Sequence, residues 1–94
     1  MKIVVAPETK DDLEEIFDYI LQESPHIAAL MLKRIGKGIY ALRDAPHRGR
    51  PGRVAGTREL VISKTPFVVP YQVRGNTIEI LRVFHGARRW PDHF

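Results

Sequence analysis

The stretch from Gly56 to Trp90, GTRELVISKTPFVVPYQVRGNTIEILRVFHGARRW, leaves a chain of this size few ways to fold. It reads as three short strands in succession, Thr57–Ile62, Phe67–Val73 and Thr77–His85, separated by Ser63-Lys64-Thr65-Pro66 and Arg74-Gly75-Asn76. Runs rich in Val, Ile, Phe, Tyr and Thr between Gly, Pro and Asn punctuators predict antiparallel hairpins. Such a meander carries more apolar side chain than it can bury on itself. The first half of the chain must supply the cover.

Lys2–Ala6 (KIVVA) is a brief apolar run whose length and β-branched content favour a strand. Pro7 suits a first helical position, where its missing N–H costs nothing. From Glu8 the apolar residues Leu13, Ile16, Phe17, Ile20 and Leu21 recur at helical spacing, and the acids crowd the first half, where they complement the helix dipole. Ser24 and Pro25 close this helix and open the next, as N-cap and first residue. The second helix is expected from about His26 to Ala45, with Ile27, Met31, Ile35, Ile39 and Leu42 on one side. Gly36 and Gly38 lower its helix propensity and suggest close packing on a neighbour. Pro46–Gly56 (PHRGRPGRVAG) has no apolar period. It is expected to be a mobile connector, a basic arm touching phosphate being the alternative.

Alternation assigns the sheet faces. Arg58, Leu60 and Ile62 share one face of the first strand, and Glu59 and Val61 the other. In the second strand Phe67, Val69, Tyr71 and Val73 lie together, and Pro70 requires a bulge or an unpaired side. In the third, Ile78, Ile80, Arg82 and Phe84 are expected opposite Glu79, Leu81, Val83 and His85. The fold class that results is α+β. An N-terminal strand precedes an antiparallel two-helix hairpin and a three-stranded antiparallel meander, with the helices packed on one face of the sheet.

At 94 residues the expectation is one domain, residues 1–94, with a single core. There is no cysteine, so disulfides and thiolate metal sites are excluded. No apolar run approaches a membrane span and Met1–Ala6 is too short for a signal peptide, so a cytoplasmic protein with no membrane contact is expected. Charge is unevenly placed. Residues 1–23 carry seven acids against two lysines, a net −5, while residues 24–94 carry thirteen Lys/Arg against four acids, a net +9. An acidic front and a basic remainder suit an anionic partner, either nucleic acid or an acidic protein.

The histidines at 26, 47, 85 and 93 lack metal-ligand spacing, so neither metal nor cofactor is expected. No serine has a plausible nucleophile context. The group that bears weighing is His85 with Arg82, Arg88, Arg89 and Arg58. Arginines bind phosphate bidentately, and a histidine moves protons near neutral pH, as RNA cleavage through the 2′-hydroxyl requires. The alternative is that His85 caps a strand end while the arginines are solvated or pair with Glu59 and Glu79. For catalysis that second reading is preferred.

Element order together with the strings GRPGRVAGTREL, PFVVPYQV and IEILRVFHGARRWP resembles the RelE/ParE superfamily of toxins from bacterial type II toxin–antitoxin modules, on its ParE-like side. The resemblance covers essentially the whole chain. It implies a toxin neutralised by a cognate antitoxin whose C-terminal segment folds onto it, with operator DNA reached only through the antitoxin. RelE-like members are ribosome-dependent mRNA endonucleases that use basic residues on the sheet. ParE-like members share the fold, lack that set, and poison DNA gyrase. Here Glu59, Val61 and Val68 stand where the RelE-like basic residues would be, and such side chains cannot stabilise a phosphorane by charge. The expected target is therefore gyrase, met by Arg58, Arg82, His85, Arg88, Arg89 and Trp90. A nuclease would rely instead on His85, Arg82 and Arg58. A third reading is a non-toxic member that only binds its antitoxin and co-represses.

Overall fold

Pro7 and Pro25 each begin a helix, and strands lie on either side of the pair. In the computed structural model, which describes all residues Met1–Phe94, the order is β1 (Lys2–Val5), α1 (Pro7–Leu21), α2 (Pro25–Ala41), β2 (Arg50–Pro51), β3 (Arg58–Val61), β4 (Phe67–Arg74), β5 (Thr77–Ile80) and β6 (Phe84–His85). The sheet runs β1-β5-β4-β3-β2. The meander β3–β4–β5 is antiparallel as expected, and β1 adds to it in parallel, with Lys2 opposite Thr77 and Val5 opposite Ile80. No helix is long and apolar enough to cross a membrane.

Ser24 caps α2 by accepting the Ile27 N–H at 3.2 Å. That helix ends at Ala41, four residues short of the expected Ala45, and its last turn tightens through Leu42 N–H to Ile39 and Arg43 N–H to Tyr40. The cause lies downstream: a residue before proline disfavours helix, and Pro46 is already anchored elsewhere. Gly38 does meet the sheet, since a Cβ there would lie 2.7 Å from Ile62 Cδ1, but Gly36 faces open space.

Core residues come from α2 and its C-cap (Ile35, Leu42), β3 and the residue after it (Leu60, Ile62), β4 (Phe67, Val69, Tyr71), β5 (Ile78, Ile80) and Val83. Leu13, Ile16 and Ile20 of α1 and Met31 and Ile39 of α2 pack against them and stay half-buried. Each of these ten buried side chains brings roughly 1.5–3 kcal/mol of transfer free energy. Burial is the main term that opposes the chain's loss of conformational entropy.

The expected third strand is broken. Tyr71 pairs with Ile80, yet Val68 pairs with Phe84 and Phe67 with His85, so two β4 residues oppose the three residues Leu81, Arg82 and Val83. This is a β-bulge, and it shifts the alternation by one. Val83, expected on the face opposite Ile78 and Ile80, is buried in the core with them; Phe84, expected to share their face, pairs with Val68 on the other side; His85 turns toward the core beside Phe67. The expected face assignment therefore fails beyond Leu81. Pro70 sits opposite the bulge, its carbonyl accepting from Leu81 N–H at 3.0 Å, so its missing donor falls where the ladder is already interrupted.

Asp12 of α1 closes the gap. Its carboxylate accepts from Arg82 Nε at 2.7 Å, from Arg82 Nη2 at 2.9 Å and from the Val83 N–H at 3.0 Å, satisfying a donor that the bulge leaves unpaired. This pairing raises the Arg82 pKa above its ordinary value against the opposing effect of burial, with attraction from Asp12, Glu8 and Asp11 adding to it. A cation whose folded pKa is raised stabilises the fold at every pH below the ordinary guanidinium value and loses that effect only above it. The contact is thus present throughout the neutral range. Asp12→Ala should lower the urea midpoint by the equivalent of about 2 kcal/mol with an unchanged m value, because it strands one charged group and one backbone donor. Asp12→Asn should fall between the two.

Candidate functional site

The loop from Pro46 to Gly56 was expected to be mobile, and it is tied to the sheet at three points. Tyr71, fully buried in β4, accepts the Gly49 N–H at 2.8 Å and donates to the Pro46 carbonyl at 2.8 Å. Arg58 donates to the carbonyls of His47 at 3.1 Å and Gly49 at 2.7 Å. Glu59, only 3% exposed, takes two bonds from Arg50 at 3.2 and 3.0 Å and one from the Arg53 N–H at 2.8 Å. The physical reason is plain. A carboxylate buried in a strand must be paired, and the loop is what pairs it. The loop's glycine at 49 serves this approach: a Cβ there would lie 2.7 Å from the Tyr71 ring and 2.9 Å from the Glu59 carbonyl oxygen.

The C-terminal segment folds back onto the same loop. Trp90 is 9% exposed, its ring 4.9 Å from that of Phe84, and the Arg53 guanidinium carbon lies 3.7 Å from its centroid on a cation–π contact. Its indole N–H donates to the His85 carbonyl at 3.3 Å, and the Arg88 N–H donates to that same oxygen at 3.1 Å. Arg88 and Arg89 therefore sit on a short turn pinned at both ends, and both are exposed. Arg82 reaches over Phe84 at 4.6 Å while bonded to Asp12, and Phe94 stacks on Phe84 with ring centroids 6.1 Å apart.

Each expected contact residue now has a place. Arg88, Arg89 and Trp90 lie together on the folded-back tail. Arg82 has its Nε and Nη2 donors engaged by Asp12, and Arg58 donates to two loop carbonyls. His85 packs edge-on against Phe67, ring centroids 6.0 Å apart, and its Nδ1 accepts the Ala87 N–H at 3.1 Å. Arg58 registers with Tyr71 and His85 with Phe67 on opposite flanks of β4. Four positions along a strand is about 13 Å, so Arg58 and His85 do not meet at one phosphate-sized point, and Arg82 is turned to Asp12. Of the positions compared with basic sheet residues, Glu59 is neutralised by arginine, Val61 is 55% exposed and Val68 is buried under β6. Arg50, Arg53, Tyr71 and Phe84 were not singled out from the sequence. A buried acid in an apolar strand, Glu59, was the one available signal for the first two.

Comparison with known proteins adds a second line. The family model described as the ParE toxin of the type II toxin-antitoxin system, parDE, matches residues 3–90. The Sinorhizobium fredii protein Y4kP is 43% identical over 79 residues, covering 84% of this chain and 81% of that one. Toxin RelE2 of Caulobacter vibrioides is 40% identical over 77 residues, covering 82% and 85%. Among solved structures, a chain of the chromosomal ParDE toxin–antitoxin system from P. aeruginosa superposes with a TM-score of 0.82 at 30% identity, covering 90% of this chain and 95% of the other.

Removing the Tyr71 hydroxyl isolates what holds the loop. Tyr71→Phe leaves the Gly49 N–H and the Pro46 carbonyl without their partner, a cost of about 1–3 kcal/mol. Amide exchange at Gly49 should accelerate by a factor of about ten beyond the speeding of the α2 amides that follows the loss of global stability.

Proposed function

The chain belongs to the ParE toxin family of type II toxin–antitoxin systems, and on that premise we propose that it arrests growth by binding DNA gyrase through the clasped C-terminal tail, until a cognate antitoxin bound at the helix hairpin neutralises it. The observation that carries the choice of target is the disposition of the sheet arginines. Arg58 and Arg82 are committed to internal partners, and Arg50 and Arg53 neutralise Glu59, whereas Arg88 and Arg89 project from a turn held at both ends. Protein–protein hot spots favour arginine and tryptophan held in one geometry before contact, because less entropy is lost on binding. A nuclease needs a convergent acid–base and phosphate-binding set, and this sheet does not bring one together. The half-buried apolar surface of the helix hairpin, with Ile27 and Leu21 partly open, suits an antitoxin segment, and the basic remainder of the chain suits an acidic one. On this reading the chain acts in the cytoplasm, where gyrase is met.

The test is to express the chain briefly without an antitoxin, look for gyrase-linked double-strand breaks, and assay supercoiling with purified gyrase. Trapped gyrase is the expected result. Arrested growth over intact DNA would sink this reading and direct the search to ribosome-bound messages; no arrest would leave only the co-repressing role. Within the reading, Arg88→Ala with Arg89→Ala should weaken gyrase inhibition about tenfold or more while antitoxin binding stays intact. His85→Ala should be tolerated better than deletion of Arg88–Phe94.

A further inference from the structure

We propose that Arg53 is the positioning residue of the toxin's target-contacting tail: its guanidinium, lying on the Trp90 ring, holds the turn that carries Arg88 and Arg89. The proposal rests on the reading of that tail as the contact surface. Its physical basis is separate.

The tail beyond β6 has few anchors. The Gly86 N–H on the Pro66 carbonyl at 2.8 Å and the Ala87 N–H on His85 Nδ1 at 3.1 Å fix its root. Beyond Ala87, apart from the Phe94–Phe84 stack, the anchors are the Arg88 N–H and the Trp90 indole N–H on one carbonyl oxygen, that of His85, and the packing of Trp90 between Phe84 and Arg53. One carbonyl shared between two donors is a weak tether, so the ring faces carry much of the hold. Arg53 is not free to leave. Its own N–H donates to Glu59 Oε2 at 2.8 Å and its Nε lies 3.6 Å from the same oxygen, and Glu59 is buried at the base. Arg50 bonds the other carboxylate oxygen, so Glu59 cannot swing toward a different partner. The result is a stack of two charges and then two rings, Glu59 to Arg53 to Trp90 to Phe84, that fixes the tail from the loop side. A planar guanidinium suits this better than an ammonium, because it stacks on the indole while its edge faces the carboxylate.

This gives Arg53 a role distinct from touching the target. Although its side chain is about half exposed, its contacts point inward. Its loss should free the tail without removing any projecting arginine.

The chain contains a single tryptophan, so one indole N–H resonance reports the clasp directly. In the full-length chain, Arg53→Ala should speed hydrogen exchange at that indole about fivefold, the change expected on losing a half-exposed cation–π contact, and weaken growth arrest by a similar factor. Arg53→Lys keeps a cation over the ring and should recover part of both effects. Ile35→Val, a core truncation on α2 away from the tail, serves as the control for lowered stability and should leave indole exchange and arrest near the wild-type values. Antitoxin binding should be unchanged in all three. Unchanged indole exchange in Arg53→Ala would overturn the proposal, as would faster exchange with full toxicity, or an equal loss of toxicity in Ile35→Val. If the wild-type chain arrests growth without affecting gyrase, yet the Arg53 variants still open the tail and relieve arrest, the target assignment falls and the clasp stands.

Discussion

Everything on the C-terminal side of this molecule depends on one carboxylate. The bulge at Leu81–Val83 exposes a backbone N–H and displaces an arginine from the sheet, and Asp12 of the first helix accepts from both. A bulge without such a partner would leave a polar group unsatisfied next to the core. With it, the interruption becomes a joint between helix and sheet. The shift of one residue sends Val83 into the core and brings Phe84 out to form the floor on which Trp90 rests. The aromatic surface of the tail is a consequence of that single change of phase.

Arginine has two occupations in this chain, and net charge does not distinguish them. Arg82, Arg58, Arg50 and Arg53 bond to groups of their own chain, and each holds two segments together. Arg88 and Arg89 do not. The inward set uses the property that separates arginine from lysine, several donors in one plane, to bind carbonyls, carboxylates and a ring face. A surface count would not separate the six. Only the last two side chains are exposed without such a bond.

The architecture was legible because its signals are local: proline and serine at helix starts, a helical apolar stripe, and three alternating runs between turn residues. The site was legible only in part. IEILRVFH reads as unbroken alternation, and nothing adjacent to Arg82 indicates that a residue seventy positions earlier will take its charge. Pro70 did mark the level at which the ladder fails. The arginine-rich loop read as a connector because its order comes from Tyr71 and Glu59, which lie beyond it in the chain and hold it with polar bonds that leave no hydrophobic period. Turn and helix chemistry is written next to where it acts; bonds closing long loops are not.

The parallel pairing of β1 with β5 has a consequence for how the protein is made. Lys2–Val5 waits for Thr77–Ile80, almost the full length of the chain, before its backbone finds a partner. At a synthesis rate of about 5–20 residues per second the first strand is unpaired for several seconds, while the helix hairpin can already form from neighbouring residues. Val83, Phe84 and Trp90 arrive later still. A nascent chain that stops before Thr77 has its N-terminal strand unpartnered, its core open and its tail absent. The sheet of this toxin closes only when its later strands have been made.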